Sequence, residues 1–130
     1  MVLTRNEKVE RIADHLPEQE IFGKKRGDLL VIGWGGTYGA LYTAVKELQK
    51  EDKCISLVQF NYINPLPRNT REILKGFKKR IVCELNLGQF ALYLRSKHPH
   101  FDYIQYNKVQ GLPFMISELK CKFNEILEEI

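Results

Sequence analysis

Two apolar patterns alternate along the chain: short unbroken runs, and stripes at helical spacing. The runs at Asp28–Gly33, Cys54–Phe60 and Arg80–Leu85 carry too many apolar residues for one solvated face, so they predict strands covered on both sides. Glu20–Gly23 and Asp102–Tyr106 predict two shorter strands. Between them, the stripes Val9/Ile12/Ala13/Leu16, Leu41/Ala44/Val45/Leu48, Ile73/Leu74/Phe77, Leu87/Phe90/Ala91/Leu94 and Leu119/Phe123/Ile126/Leu127/Ile130 predict amphipathic helices. Capping signals support the starts: Thr4 with Glu7, Asn69 with Glu72 and Asn86 with Gln89 have capping spacing, and Thr37 is an N-cap for the second helix.

Strands alternating with helices require a three-layer α/β/α domain with a mostly parallel sheet and right-handed crossovers. Residues 1–19 read as a linker helix packing on the domain, and 20–130 as the α/β domain itself. If the strand ending at Gly33 is central, the next pairs on one side and the following one on the other. The loops Gly33–Gly39 and Glu84–Gln89 then meet at a switch point, where open α/β sheets bind their ligands.

The first loop, Gly33-Trp34-Gly35-Gly36-Thr37-Tyr38-Gly39, is glycine-dense but is not a nucleotide fingerprint. The sixth position of a G-x-G-x-x-G frame is Tyr38, the next strand ends Gln59-Phe60-Asn61 without a ribose-binding acid, and no phosphate-binding G-x-x-x-x-G-K-[ST] fits. Glu84 is the acid at the end of a central strand. It suits either proton transfer or a hydrogen bond to a neighbouring backbone amide, and no His or Cys nearby completes a nucleophile and base pair. Asn86 and Gln89 are explained as caps, and the helix beginning there could hold an anion at its N-terminus. Trp34, Tyr38, Tyr62 and Tyr106 fall at strand ends or in loops, positions where aromatics roof a core or anchor an interface.

Composition narrows the classes. The 130 residues are 44% apolar, enough for one domain with a real core, with neither a membrane-length apolar run nor a signal-peptide pattern, so a cytoplasmic protein is expected. Cys54, Cys83 and Cys121 are too far apart for a disulfide framework or an iron–sulfur site, and read as buried thiols. His98 and His100 flank Pro99 without the further ligands a metal needs. The net charge of +4 is thin for a nucleic-acid binder. Lys24-Lys25-Arg26 and Lys78-Lys79-Arg80 both precede strands, which places them in one basic patch at the edge opposite the glycine loop, either as solvated charge or as a dock for an acidic partner.

Four segments together carry a family resemblance: the glycine loop, Asn64-Pro65-Leu66-Pro67, Glu84-Leu85-Asn86-Leu87-Gly88-Gln89, and Asn107-Lys108-Val109-Gln110-Gly111-Leu112-Pro113-Phe114. In this order and at these separations the chain resembles the C-terminal domain of the α subunit of 2-oxoglutarate:ferredoxin oxidoreductase (2-oxoglutarate synthase). The likeness extends through the approach segment Lys8 to Gly23. One departure is Gly36, where the family more often has serine. The resemblance implies a transketolase C-terminal-like fold, with a five-stranded sheet in the order 1-3-2-4-5 and an antiparallel first strand. It also implies an enzyme that uses thiamine diphosphate, an iron–sulfur cluster and coenzyme A, and passes electrons to ferredoxin. Those groups are expected in the remaining α-subunit domains and the β subunit, and no catalytic or metal-binding residue carries over to this chain. The expectation is an assembly domain whose interface residues are Trp34, Gly35, Gly36, Thr37, Tyr38, Gly39, Glu84, Asn86, Gly88 and Gln89. The alternative is a small-molecule or anion-binding regulatory domain using the same loops.

Overall fold

A computed structural model describes residues 19–34, 38–60, 69–84, 89–107 and 114–130. Four parallel strands, β1 (Gly27–Trp34), β2 (Ile55–Phe60), β3 (Phe77–Glu84) and β4 (Ile104–Asn107), form one sheet in the order β2-β1-β3-β4. The helices are α1 (Tyr38–Lys50), α2 (Thr70–Lys75), α3 (Gln89–Lys97) and α4 (Ile116–Glu128).

Alternation within β1 builds both cores. Leu29 and Val31 join Leu41, Val45 and Leu48 of α1 and Leu119, Phe123 and Ile126 of α4 on one face. Leu30 and Ile32 join Ile73 and Leu74 of α2 and Phe90, Ala91 and Leu94 of α3 on the other. A strand buried on both faces must be apolar throughout, which is why β1 shows no polar alternation. The chain steps from β1 to β2 in one direction and then to β3 and β4 in the other. Crossovers of one hand therefore put α1 on one face and α2 and α3 on the opposite one.

One expectation about the sheet is corrected. Among the described residues it has four strands, not five: the expected first strand, Glu20–Gly23, is not one of them, and the order β2-β1-β3-β4 is that of the remaining expected strands, 3-2-4-5. The stretch Glu20–Gly23 makes one antiparallel bridge, Phe22 to Leu57, with N–H···O bonds of 2.8 and 3.0 Å. Gly23 ends it at once: its φ of +116° turns the chain away, and a Cβ there would come within 2.5 Å of Gln49 Nε2. Phe77, assigned to a helix face by its spacing from Ile73 and Leu74, opens β3 instead. The helix stops because Gly76 lies against the chain before β1, where a Cβ would meet Lys25 O at 2.5 Å. The predicted linker helix falls within 1–18, outside the described residues.

Candidate functional site at the carboxyl edge of the sheet

Because β1 and β3 are parallel neighbours in register, Gly33 opposite Cys83, their carboxyl ends, Trp34 and Glu84, lie at the same edge of the sheet. The predicted switch point lies there. Trp34, Tyr38, Gly39, Glu84 and Gln89 occupy that edge. Gly35, Gly36, Thr37, Asn86 and Gly88 lie outside the described residues, as does Tyr62.

Glu84 is buried, with 1% of its surface exposed. Its carboxylate is fully engaged by the start of α3: Oε1 accepts from Phe90 N–H at 2.7 Å and Oε2 from Ala91 N–H at 3.0 Å. The first N–H groups of a helix have no partner within it, and negative charge is favoured beside them. Glu84 therefore caps α3 from the strand. The two amides that an external anion would use are already filled by the protein itself. Gln89, read as part of the cap, is an exposed first residue of the helix. Beside Glu84, burial and then the Glu84 charge push the Cys83 thiol well above its ordinary range, so it stays protonated and inert. Cys54 and Cys121 are exposed, which corrects the expectation that all three thiols are buried.

Trp34 ends β1 opposite Phe60, and the Phe90 ring stands 6.0 Å from Trp34 and 5.5 Å from Phe60. This aromatic group roofs the α2/α3 core. On the other face Tyr38 is 48% exposed, its ring 5.6 Å from Tyr42, which in turn meets Phe22 at 4.6 Å. A Cβ on Gly39 would meet nothing within 4 Å, so nothing described within the chain requires glycine there.

Three residues of this edge were not singled out by the sequence: Leu92, Met115 and Ile116, exposed by 67%, 58% and 39%. Leu92 stands off the stripe of Phe90, Ala91 and Leu94, and an apolar residue away from its helix's buried face was the available signal. Met115 and Ile116 precede Leu119, the first buried member of the α4 stripe.

At the opposite edge the expected basic patch is divided. Arg80 is buried, its guanidinium donating to Leu74 O at 2.6 Å, Phe77 O at 2.8 Å and Asp102 O at 3.2 Å while covering the Phe101 ring. Lys78 pairs with Asp28 at 3.4 Å and Lys79 with Glu129 at 3.5 Å. Lys24, Lys25 and Arg26 are exposed.

A parallel sheet covered on both faces, with a switch point at its carboxyl edge, defines an open α/β domain. No protein-family model matches the chain. It is 36% identical over 121 residues to 2-oxoglutarate oxidoreductase subunit KorA of Mycobacterium tuberculosis, a match covering 92% of this chain and 18% of that protein. It is 28% identical over 122 residues to the 2-oxoacid:ferredoxin oxidoreductase subunit alpha of Saccharolobus solfataricus, covering 88% of this chain and 19% of that one. Among solved structures, 2-oxoglutarate:ferredoxin oxidoreductase from Magnetococcus marinus, with 2-oxoglutarate, coenzyme A and succinyl-CoA bound, superposes with a TM-score of 0.83 at 25% identity. That match covers 91% of this chain and 21% of the other. An inactive β4 tetramer of a split-gene transketolase shares the fold at 13% identity, with a TM-score of 0.52 over 84% of this chain and 39% of its own. The chain thus corresponds, over most of its length, to the C-terminal domain of a 2-oxoacid:ferredoxin oxidoreductase α subunit. It spans about a fifth of the curated relatives it matches.

Proposed function

We infer that this chain is a non-catalytic assembly domain of a 2-oxoacid:ferredoxin oxidoreductase, and that its carboxyl edge packs on the remaining α-subunit domains and the β subunit. One observation carries the reading. Among the described residues, the large apolar side chains exposed away from the chain terminus are Tyr38, Leu92, Met115 and Ile116, and all lie at or within the first turns of α1, α3 and α4. Those helices start from one edge of the sheet, and a concentration of exposed apolar side chains marks a contact surface. The occupant follows from length: the chain spans 18% and 19% of two curated relatives, so most of such a subunit lies outside this domain.

The substrate of the whole enzyme is 2-oxoglutarate, a choice supported by the names of a relative and a structural neighbour that carry it. Thiamine diphosphate, the iron–sulfur cluster and coenzyme A belong to the complete assembly, with ferredoxin as electron acceptor. Among the described residues no three His, Cys, Asp or Glu side chains converge as metal ligands. The α3 amides that could meet a diphosphate already hold Glu84.

The test is co-purification from the native cell of a tagged chain, wild type against Leu92→Arg/Ile116→Arg. Both side chains are exposed, so the variant folds, while a charge placed in an apolar contact weakens assembly at least about tenfold. Wild-type chain recovered alone, or a variant that assembles as well as wild type, overturns the proposal.

A further inference from the structure

We propose that the amino edge of the sheet, opposite the assembly surface, carries a groove that docks an acidic segment of a partner protein. The groove runs between α2 and the segment leading into β1. Its walls are held in place at both ends. At one end the Asn69 side chain pairs with the backbone of Gln19, Oδ1 accepting from Gln19 N–H at 2.8 Å and Nδ2 donating to Gln19 O at 2.9 Å. At the other, the Lys25 carbonyl lies against Gly76, and Gly27 N–H donates to Gly76 O at 3.1 Å. The leading segment therefore follows α2 from its start to its end, leaving a depression of about 1160 Å³ between them.

Charge is unevenly placed along this groove. Glu20 and Glu72 line the end near Gln19 and Asn69; Lys25, Arg26 and Lys75 line the end near Gly76. In the following strand Lys78 and Lys79 are engaged by carboxylates and Arg80 by carbonyls. Among the described residues Lys25, Arg26 and Lys75 have no carboxylate partner, although Lys24 adds further positive charge next to them. Three cations at one end of a groove, none with a carboxylate partner among the described residues, fit a ligand that brings carboxylates.

The dimensions choose among such ligands. Small-molecule sites are enclosed, mostly apolar and about 300–1,000 Å³. This depression is larger, and the described residues that line it are mainly charged and polar. A polypeptide segment fits it better than a metabolite. A nucleic acid is disfavoured because Glu20 and Glu72 continue the same groove and would meet successive phosphates. A protein segment with its acids clustered at one end meets no such repulsion.

Fluorescence anisotropy of the full chain, at about 0.15 M salt where long-range attraction is screened, provides the test. The probe is a labelled decapeptide of alternating Glu and Asp, with a Gln/Asn decapeptide and a single-stranded deoxynucleotide decamer as controls. Lys25→Glu/Arg26→Glu/Lys75→Glu alters exposed side chains only and should weaken the acidic probe about tenfold or more, whereas Lys46→Glu/Lys50→Glu/Lys97→Glu, the same charge change elsewhere, should cost less than about threefold. Glu20→Gln/Glu72→Gln should tighten the acidic probe. Equal losses for the two triple variants, no binding of the acidic probe, or oligonucleotide binding that is equally tight and equally sensitive to the groove variant would each overturn the proposal. Circular dichroism confirms that each variant is folded.

Discussion

Glu84 shows how much of a site a single side chain can decide. A buried carboxylate is costly unless hydrogen-bonded, and here both oxygens are met by amides at the start of α3. Glu84→Gln keeps the shape but sets an amide NH₂ against one of two N–H donors, so unfolding free energy should fall by about 1–3 kcal/mol, read by denaturant titration. An unchanged midpoint would remove Glu84 as the cap. The sequence already allowed this role, since a hydrogen bond to a nearby amide was one of two readings, but it could not decide. The choice rests on how the strand end and helix start meet, a tertiary fact. Arg80 was misplaced for the same reason: three basic residues in a row look like surface charge, and only the packing of α2 and Asp102 against β3 gives the last one carbonyl partners. Tyr103 yields a pH prediction. Its hydroxyl donates to His98 O at 2.9 Å, and burial pushes it up to about 12 against the opposing pull of Arg80 and Arg95. Unfolded, it titrates near ~10. Between these values the folded chain holds the proton that the unfolded chain has released, so stability falls as pH rises through that window. Tyr103→Phe should lose about 1 kcal/mol at neutral pH and show a shallower fall above pH ~10, measured by urea unfolding across the range. Parallel pH curves would show that Tyr103 does not contribute.

The elements were legible where burial alone sets the period. The stripes on α1, α3 and α4 and the continuous apolar runs of β1 and β2 follow from the faces they cover, and the structure places them there. Legibility failed at the segment before β1, where tertiary contacts compete with local signals. Asn69, spaced as a helix cap, makes no side-chain cap bond and instead pairs with Gln19. The edge of β2 is covered by a strap rather than a strand: Phe22 bridges Leu57, Gln19 Nε2 donates to Gln59 O at 2.8 Å and Gln49 Nε2 to Ile55 O at 3.0 Å. Side-chain amides thus satisfy edge carbonyls that would otherwise invite another chain. Asn69→Ala removes both bonds to Gln19 and should destabilise by about 1–2 kcal/mol. Its signature is local: the amides of Phe22 and Leu57 should exchange hydrogen sooner than those of β1. Uniform acceleration across the sheet would mean that the strap has no opening of its own.

At the scale of the whole molecule the two edges of the sheet have different tasks. The carboxyl edge gathers the exposed apolar side chains, while Glu84 fills the helix terminus there that could have held an anion. The amino edge gathers unpaired cations beside a groove. An assembly surface must be distinguished from a folding requirement, and Gly39 permits that. It is the second residue of α1, and a Cβ added there meets no atom within 4 Å. Within a helix, alanine is favoured over glycine by about 0.5–1 kcal/mol. For the chain alone, Gly39→Ala should therefore raise the thermal midpoint, and a larger exposed residue such as Gly39→Gln should leave it near wild type. In the assembled enzyme the order should reverse with size: Gly39→Ala retained, Gly39→Gln partly lost, measured as the fraction of tagged chain recovered with its partners. A glycine replaceable in the free domain but not in the complex is held by what packs against it from outside. If Gly39→Gln assembles as fully as wild type, that turn of α1 faces solvent in the complex. The contact must then lie towards Leu92 and Ile116.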